Sequence, residues 1–309
     1  MELNATYQYR RIGEEHIVEI TRLHRLVFNS KISEAELKRI FDTRIFGKYT
    51  IGFVAISATG ETAAYYGVFP IIGTRGGAQI LVAQSGATMT HPDHQKKGLF
   101  VTLAKMTFEA AQKEGVQFIY GFPNENSLPG FEKKLNWSFQ DKLCKNVLLT
   151  GSLPLCELAS KNKFIKRIYQ RILNSRISKL NISPRNVSFR DTTVAHSAEF
   201  LAYKLRDPNV HLVRLNGIDF LVKSSPHLLI GDIGFNEQLN ASDLRSSLIQ
   251  LGKIFMASKV VLQFTKNHWI APLLASSELT QSLPVGFLSF EKEGEERELE
   301  FNYSDLDTF

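Results

Sequence analysis

The sequence predicts an α/β protein made of two similar halves, each a mixed, mainly antiparallel sheet flanked by helices. Three observations lead there. The order strand, strand, strand, helix, strand, helix, strand can be traced twice along the chain. Glycines between the early strands ask for hairpins, which make neighbouring strands antiparallel. A lysine- and arginine-rich segment of helical periodicity separates the two passes.

In the first half, TIGFVAIS (50–57), ETAAYYGVFPII (61–72) and AQILVAQSGATMT (78–90) are rich in β-branched and aromatic residues and are punctuated by Gly60 and by GTRGG, the pattern of strands joined by tight turns. From Gly98 the period becomes helical. Leu99, Leu103, Met106 and Ala110 make one row, Phe100, Ala104, Phe108 and Ala111 the next, and Gly115 is the stop. VQFIYGF (116–122) is a continuous apolar run suited to a buried strand. A short helix over 127–135 and a strand over 143–149 close the first set. In the second half, strands are expected at VHLVRL (210–215), IDFLVK (218–223) and HLLIGDIGF (227–235). A helix at ASDLRSSLIQLGKIFMAS (241–258), a strand at KVVLQFT (259–265), a short helix over 269–277 and a strand at VGFLSFE (285–291) follow. The expected division is a first domain over 1–155, a basic helical connector over 156–190 and a second domain over 191–309.

At 43% hydrophobic the chain has enough apolar material for an ordinary globular core. No window approaches the roughly 18 apolar residues of a membrane span, and MELNATYQYRRIGEEH lacks the apolar core of a signal peptide, so a cytoplasmic location is expected. Cys144 and Cys156 form no CxxC and the eight histidines are scattered, which argues against a disulfide framework and against a metal site. The net charge of +6 is unevenly placed: nine Lys or Arg and no acid lie between Lys161 and Arg190, whereas EKEGEERELE (291–300) is strongly acidic. A basic stretch of this kind can meet nucleic acid or an anionic membrane surface. The plainer reading is preferred, a connector helix with Phe164, Ile165, Ile168, Tyr169, Ile172 and Leu173 packed inward, and no nucleic-acid partner is expected.

The junction THPDHQKKGLF (90–100) between a long strand and an amphipathic helix is the richest in chemistry. The first turn of a helix has N–H groups without partners and the positive end of the dipole, so an anion there gains hydrogen bonds and favourable electrostatics. Gly98 allows close approach to the backbone, and Lys96 and Lys97 add charge. Pro92 removes a donor and ends the strand. At these residues the sequence resembles the GNAT superfamily of acyl-CoA-dependent N-acyltransferases, whose pyrophosphate loop reads Gln/Arg-x-x-Gly-x-Gly/Ala. Here it is Gln95, Lys96, Lys97, Gly98, Leu99 and Phe100, with a bulky side chain at the last place. The resemblance runs on through YGFPNENSLPGFEKKLNW (120–137), covering about residues 50–150, and beyond that only the order of elements agrees.

The resemblance implies acetyl-CoA or another acyl-CoA as the acyl donor, with Gln95, Lys96, Lys97, Gly98, Leu99 and Phe100 around its pyrophosphate and no metal. It also implies that the fourth and fifth strands part, so that backbone groups near Met89 and Thr90 hydrogen-bond the pantetheine arm. Holding the thioester beside an amine supplies orientation, and a backbone N–H can stabilise the oxyanion. Where relatives carry a tyrosine on the short helix, this chain has Phe131 and Glu132. Where some relatives carry a glutamate base, it has Gln84, which can orient an amine or water but cannot act as a base. Glu125 is the nearest carboxylate that could collect the ammonium proton, with a solvated turn residue as the plain alternative. Asn124 and Asn126 either cap the short helix or reach the cofactor. Tyr66, Phe69 and Ser85 are candidate acceptor-pocket residues, the two aromatics being as readily core. His91 and His94 are read as loop surface near the phosphates.

The corresponding junction of the second half, NEQLNASDL (236–244), has neither glycine nor basic pair, so Asn240 or Ser242 is an ordinary helix cap and a second phosphate loop is absent. The first functional expectation is acylation of a small amine. A GVFP strand, the Gly-Leu-Phe loop and the tail residues Ser304, Asp305 and Asp307 resemble enzymes of bacterial surface polysaccharides, which points to an amino sugar, free or nucleotide-linked. Acylation of a peptide or antibiotic amine stays open as a second enzyme reading, and the missing tyrosine keeps open a CoA-binding regulator or interaction scaffold without catalysis.

Overall fold

A computed structural model describes residues 6–187, 189–234, 237–274, 278–290 and 299–309. The chain opens with β1 (Tyr7–Arg11), α1 (Ile17–Phe28) and α2 (Glu34–Phe41), then β2 (Ile51–Ser57), β3 (Thr62–Arg75) and β4 (Ala78–Thr90). Next come α3 (Leu99–Lys113), β5 (Phe118–Gly121), α4 (Leu128–Lys134), β6 (Ser138–Gln140) and β7 (Cys144–Leu149). The middle is helical, with α5 (Leu155–Lys161), α6 (Lys163–Ile177) and α7 (Ala198–Lys204). The last third holds β8 (Val210–Leu215), β9 (Ile218–Ser224), β10 (Leu228–Ile233), α8 (Ala241–Ile254), β11 (Lys259–Phe264), β12 (Leu279–Gln281) and β13 (Val285–Ser289). The expected strands and the two long expected helices are present, so the mixed α/β class with two mainly antiparallel sheets holds. The short helix expected over 269–277 is a single 3-10 turn at Ala271–Leu274, and 275–277 lie outside the described residues. Most of the acidic stretch EKEGEERELE, residues 291–298, also lies outside them.

Two compact units result, Met1–Gln140 with Pro284–Glu296, and Asp141–Leu283 with Arg297–Phe309. The first holds a seven-stranded sheet in the order β1-β2-β3-β4-β5-β13-β6, antiparallel except for β4 beside β5. The second holds six strands in the order β12-β7-β11-β10-β9-β8, antiparallel except for β10 beside β11. The last strands are therefore exchanged. The strand at 144–149, expected to complete the first sheet, pairs with β11 and β12 in the second, and the strand at 285–289, expected in the second, lies between β5 and β6 in the first. A strand's own residues specify which of its faces is buried but not which edge it joins, and adjacency in sequence misleads here.

In the first unit, α1 and α2 cover one face of the sheet, bringing Ile20, Leu23, Leu37 and Phe41 against Val54, Tyr65 and Phe69. The start of α2 is set by a capping box in which Ser33 Oγ accepts from the Glu36 amide (3.2 Å) and the Glu36 carboxylate accepts from the Ser33 amide (2.8 Å). The other face is packed by α3 and α4 through Leu103, Ala104, Phe108 and Phe131, against Tyr66, Ala83 and Ile119. Strand alternation sends Tyr65 and Phe69 one way and Tyr66 the other.

The second unit buries an ionic cluster. His196 lies between two carboxylates, with Nδ1 2.6 Å from Asp232 on β10 and Nε2 2.8 Å from Asp305. Asp305 also accepts from Thr192 Oγ1 (3.1 Å) and from the Asn302 amide (2.7 Å), while Ser304 Oγ donates to Asn302 Oδ1 (2.7 Å). The Ser-Asp pair of the tail is thus spent on folding. Burial opposes a charge on His196, but the flanking Asp232 and Asp305 outweigh it and lift the imidazole to about 10. Burial pushes Lys204 down to about 8, and His211 and His268 down to about 4. The unfolded values are about 6.5 for histidine and about 10.4 for lysine. Stability from His196 is therefore complete below about pH 6.5 and is lost as pH rises towards 10, with Lys204 giving a partial recovery above 8. His211 and His268 make stability fall as pH drops from 6.5 towards 4. Thermal melts against pH are expected to peak near 6.5, and His196→Gln is expected to flatten the limb between 6.5 and 8. An unchanged alkaline slope in that variant would assign the slope to other groups.

Candidate functional site

In the first unit, β4 and β5 run together only from Ala83–Ile119 to Ser85–Gly121, and over residues 86–90 β4 stays paired with β3 but has no strand partner on the β5 side among the described residues. Its pairing with β3 shifts in the same stretch: Tyr65 faces Met89 and Gly67 faces Gly86, so β4 carries one extra residue. Ala87 sits in this bulge with φ +52°. A bulge of this kind bends the strand and re-aims its backbone groups. The fork expected near Met89 and Thr90 is therefore present, and it starts just past Ser85.

Beyond the fork the chain turns sharply. Lys96 (φ +61°) and Gly98 (φ +76°) both adopt the left-handed conformation, and Gly98 is the N-cap of α3. No side chain caps this helix, and the first helical bond is the Thr102 amide to the Gly98 carbonyl (3.1 Å), which leaves the first-turn amides available. A Cβ on Gly98 would meet nothing within 4 Å beyond its own chain neighbours, so the space above the glycine is open. Gln95, Lys96 and Lys97 are exposed, and the two lysines have no carboxylate partner among the described residues. These features make a cradle for an anion at the end of the fork.

Leu99 turns inward to the core at 2% exposure. Phe100 also points away from the cradle, meeting Phe131 (5.3 Å between ring centres) and Tyr66 (5.6 Å) edge-on. It fits because residue 130 is glycine: a Cβ there would lie 2.8 Å from the Phe100 ring. The bulky residue at the last position of the loop is thus absorbed by the packing under α4.

Tyr66 is fully buried, with its hydroxyl 2.8 Å from Ser85 Oγ and its ring among Phe100, Phe108 and Phe131. Burial raises its phenol well above the usual tyrosine range. Phe69 packs on Phe41 (5.6 Å) in the core beneath α1 and α2. Both aromatics take the core position. Gln84 faces Phe69 across β3 and Tyr120 across β5, is only 6% exposed, and its Nε2 has no hydrogen-bond partner. A buried amide donor left unpaired costs about 1–3 kcal/mol, so this position, one residue before the strands part, is poised for a ligand acceptor.

The turn after β5 is arranged by Asn124, whose Oδ1 accepts from the Asn126 amide (3.0 Å) and the Ser127 amide (3.1 Å). Asn126 and Glu125 are exposed on this turn. The histidines are not simple loop surface. His94 Nδ1 is 2.8 Å from Tyr7 Oη, and Glu61 reaches both His91 (3.3 Å) and His94 (3.4 Å), so the loop entering the cradle is tied to β1 and to the β2–β3 turn. The sequence reading missed Tyr7 because it identified no element before residue 50, and Glu61 because it took that residue only as the start of a strand. The signal available was the HxxH spacing across Pro92.

The second unit offers a contrast. There too β10 and β11 pair only as far as Ile230–Leu262, with a register shift before Asp232. Its fork is filled by the chain itself: Asn302 bridges to Phe264, the Thr265 amide donates to the Phe301 carbonyl (2.9 Å), and the Phe309 ring lies where a Cβ on Gly231 would be. The helix that follows is capped by Asn240, which accepts from the Asp243 amide at 2.9 Å. Among the described residues of this unit neither an open fork nor a free helix start remains.

Residues 8–139 match the family model of the acetyltransferase (GNAT) domain. No curated protein matches the chain. Among solved structures, a GCN5-related N-acetyltransferase from Kribbella flavida aligns over 92% of this chain and 72% of its own, at TM-score 0.57 and 13% identity. A putative acetyltransferase from Pyrococcus horikoshii aligns over 98% and 95%, at TM-score 0.56 and 13% identity. The glucosamine N-acetyltransferase region of a fungal multi-domain beta-N-acetylglucosaminidase aligns over 93% and 38%, at TM-score 0.54 and 11% identity. At these identities the likeness is one of fold.

Proposed function

From the match of residues 8–139 to the acetyltransferase (GNAT) domain we propose that the chain transfers an acyl group from an acyl-CoA to the amine of a small acceptor, an amino sugar being the first to test. The observation that carries the reading is the fork beyond Ser85 opening onto the uncapped first turn of α3. Acyl-CoA supplies an activated acyl group when bound. The first-turn amides, Gly98, Lys96 and Lys97 suit its diphosphate, with Gln95 beside them, and the free edge of β4 near Met89 and Thr90 suits the extended arm. Asn126, exposed on the facing turn, is a further candidate contact. Gln84 is assigned the task of orienting the amine through its unpaired donor or carbonyl, and Glu125 or water that of taking the ammonium proton. Ser85, held by Tyr66, fixes the point where the strands part.

The choice of an amino sugar takes its direction from the sequence resemblance and from the fungal neighbour, whose name carries glucosamine. The reading as a CoA-binding regulator is favoured by one observation, that α4 presents a buried Phe131 where a proton donor is expected. Thiol release from acetyl-CoA in the presence of free, phosphorylated and nucleotide-linked amino sugars, peptides and aminoglycosides separates the two. Release that depends on the amine supports the enzyme; CoA binding without turnover across the panel supports the regulator.

Gln84→Leu is expected to keep or raise the melting temperature, since it removes a buried unpaired donor worth about 1–3 kcal/mol, while amine-dependent turnover falls at least tenfold. Circular dichroism melts and steady-state rates check this. Unchanged turnover removes Gln84 from the reaction.

A further inference from the structure

The basic connector helix does not bury its apolar residues as the sequence suggests. Tyr169, Leu173 and Ile177 of α6 enter the core of the second unit, but Phe164, Ile168 and Ile172 remain 71%, 45% and 38% exposed, and Leu158 on α5 is 44% exposed. The exposed three are spaced four apart, so at about 100° per residue they form a continuous stripe on the outer side of the helix. Arg167 and Arg171 fall along one edge of that stripe. Lys161, Lys163, Lys166, Arg167, Arg171 and Lys179 have no carboxylate partner among the described residues, and no acid occurs between Lys161 and Arg190. The helix cannot rotate to hide the stripe, because its other side is held by Tyr169, whose hydroxyl donates to the Phe255 carbonyl at 3.0 Å.

We propose that the outer face of α6 docks on an anionic lipid surface, with Phe164, Ile168 and Ile172 entering the interface and the surrounding cations meeting lipid headgroup charges. A helix lying in the plane of a bilayer needs an apolar face bordered by Lys and Arg, and this is the pattern presented. Charge complementarity selects the occupant. Nucleic acid would use the cations and leave the apolar stripe in water, and a second copy of this face would bring like charges together. This docking is independent of the acyl-transfer reading.

The test is co-sedimentation of the full chain with vesicles of phosphatidylcholine alone and of phosphatidylcholine with 30% phosphatidylglycerol. Binding is expected to the anionic vesicles, weaker by at least tenfold with neutral vesicles or at high salt. Phe164→Ser/Ile168→Ser and Arg167→Glu/Arg171→Glu are each expected to lower partitioning at least tenfold with the melting temperature retained, since all four side chains are exposed. Absence of binding to anionic vesicles overturns the proposal. So does full binding by the Phe164→Ser/Ile168→Ser variant, which would mean a purely electrostatic contact. Concentration-dependent dimerisation abolished by that same variant, or duplex DNA binding that needs Phe164, would also overturn it by giving the stripe another occupant.

Discussion

Gly98→Val is expected to weaken CoA binding by at least a hundredfold while the protein still folds cooperatively, with the melting temperature lowered by several degrees by backbone strain. Gly98 has φ +76° at the N-cap of α3, a conformation that costs an L-residue about 1–2 kcal/mol and a β-branched one more. Beyond its chain neighbours no protein atom stands within 4 Å of the position a Cβ would take, so valine's cost to the fold is the local backbone strain alone. Its branches instead fill the open space above the first-turn amides, where the diphosphate is proposed to sit. Hydrogen bonds to a charged group contribute about 1.5–3 kcal/mol each. Losing two of them corresponds to roughly two to four orders of magnitude in affinity. Gly98→Asn is the control, because asparagine tolerates the left-handed region. It separates backbone strain from blockage. Calorimetric titration with CoA reads the result, and tight binding by the valine variant would remove this junction from the cofactor site.

A fragment of residues 1–155 is expected not to fold cooperatively, although it contains every expected element of a first domain. β13 lies between β5 and β6, and among the described residues β6 has no other neighbour in its sheet. Val285 is fully buried, and the Gly286 backbone nests against two rings, a Cβ there falling 2.6 Å from Phe139 and 2.9 Å from Trp137. Removing β13 leaves the apolar edge of β5 unpaired beside a detached hairpin arm, a template for aggregation. At the same time β7, carried along in the fragment, loses both of its partners, β11 and β12. Residues 1–140 joined by a flexible linker to 284–290 should recover a cooperative melt and amide dispersion. A cooperative transition of the 1–155 fragment at the melting temperature of the whole chain would show that β13 is dispensable.

The elements were legible where composition and period agree. The strands at 50–90 and 210–235 and the helix after Gly98 emerged within a few residues of their observed limits, because their burial is periodic and their ends are marked by glycine or proline. The cradle was legible for the same reason: a left-handed glycine before an apolar helix leaves a local signature. What lay outside a local reading was partnership. Nothing in Val285–Ser289 says that its neighbours are Phe118–Gly121, some 165 residues earlier by the register of the two strands. Phe100 looked awkward in the loop until Gly130 was found opposite it, and the Ser304–Asp305 tail pattern is explained by His196 and Asn302 rather than by a substrate. The connector helix was half legible. Its period gave the apolar residues, but two apolar stripes on one helix cannot be told apart from a count, and only the structure shows which faces inward.

The position of β13 also bears on how this protein is made. A ribosome releases the amino-terminal half first, yet that half cannot close its sheet until residue 289 has left the exit tunnel. Until then the nascent chain must carry an open edge at β5, and β7 stays an orphan strand until β11 has emerged. Domain-by-domain maturation from the amino terminus, the usual course for long chains, is closed to it. The two halves are committed to finish together, and holdase chaperones have an exposed β edge to guard until they do.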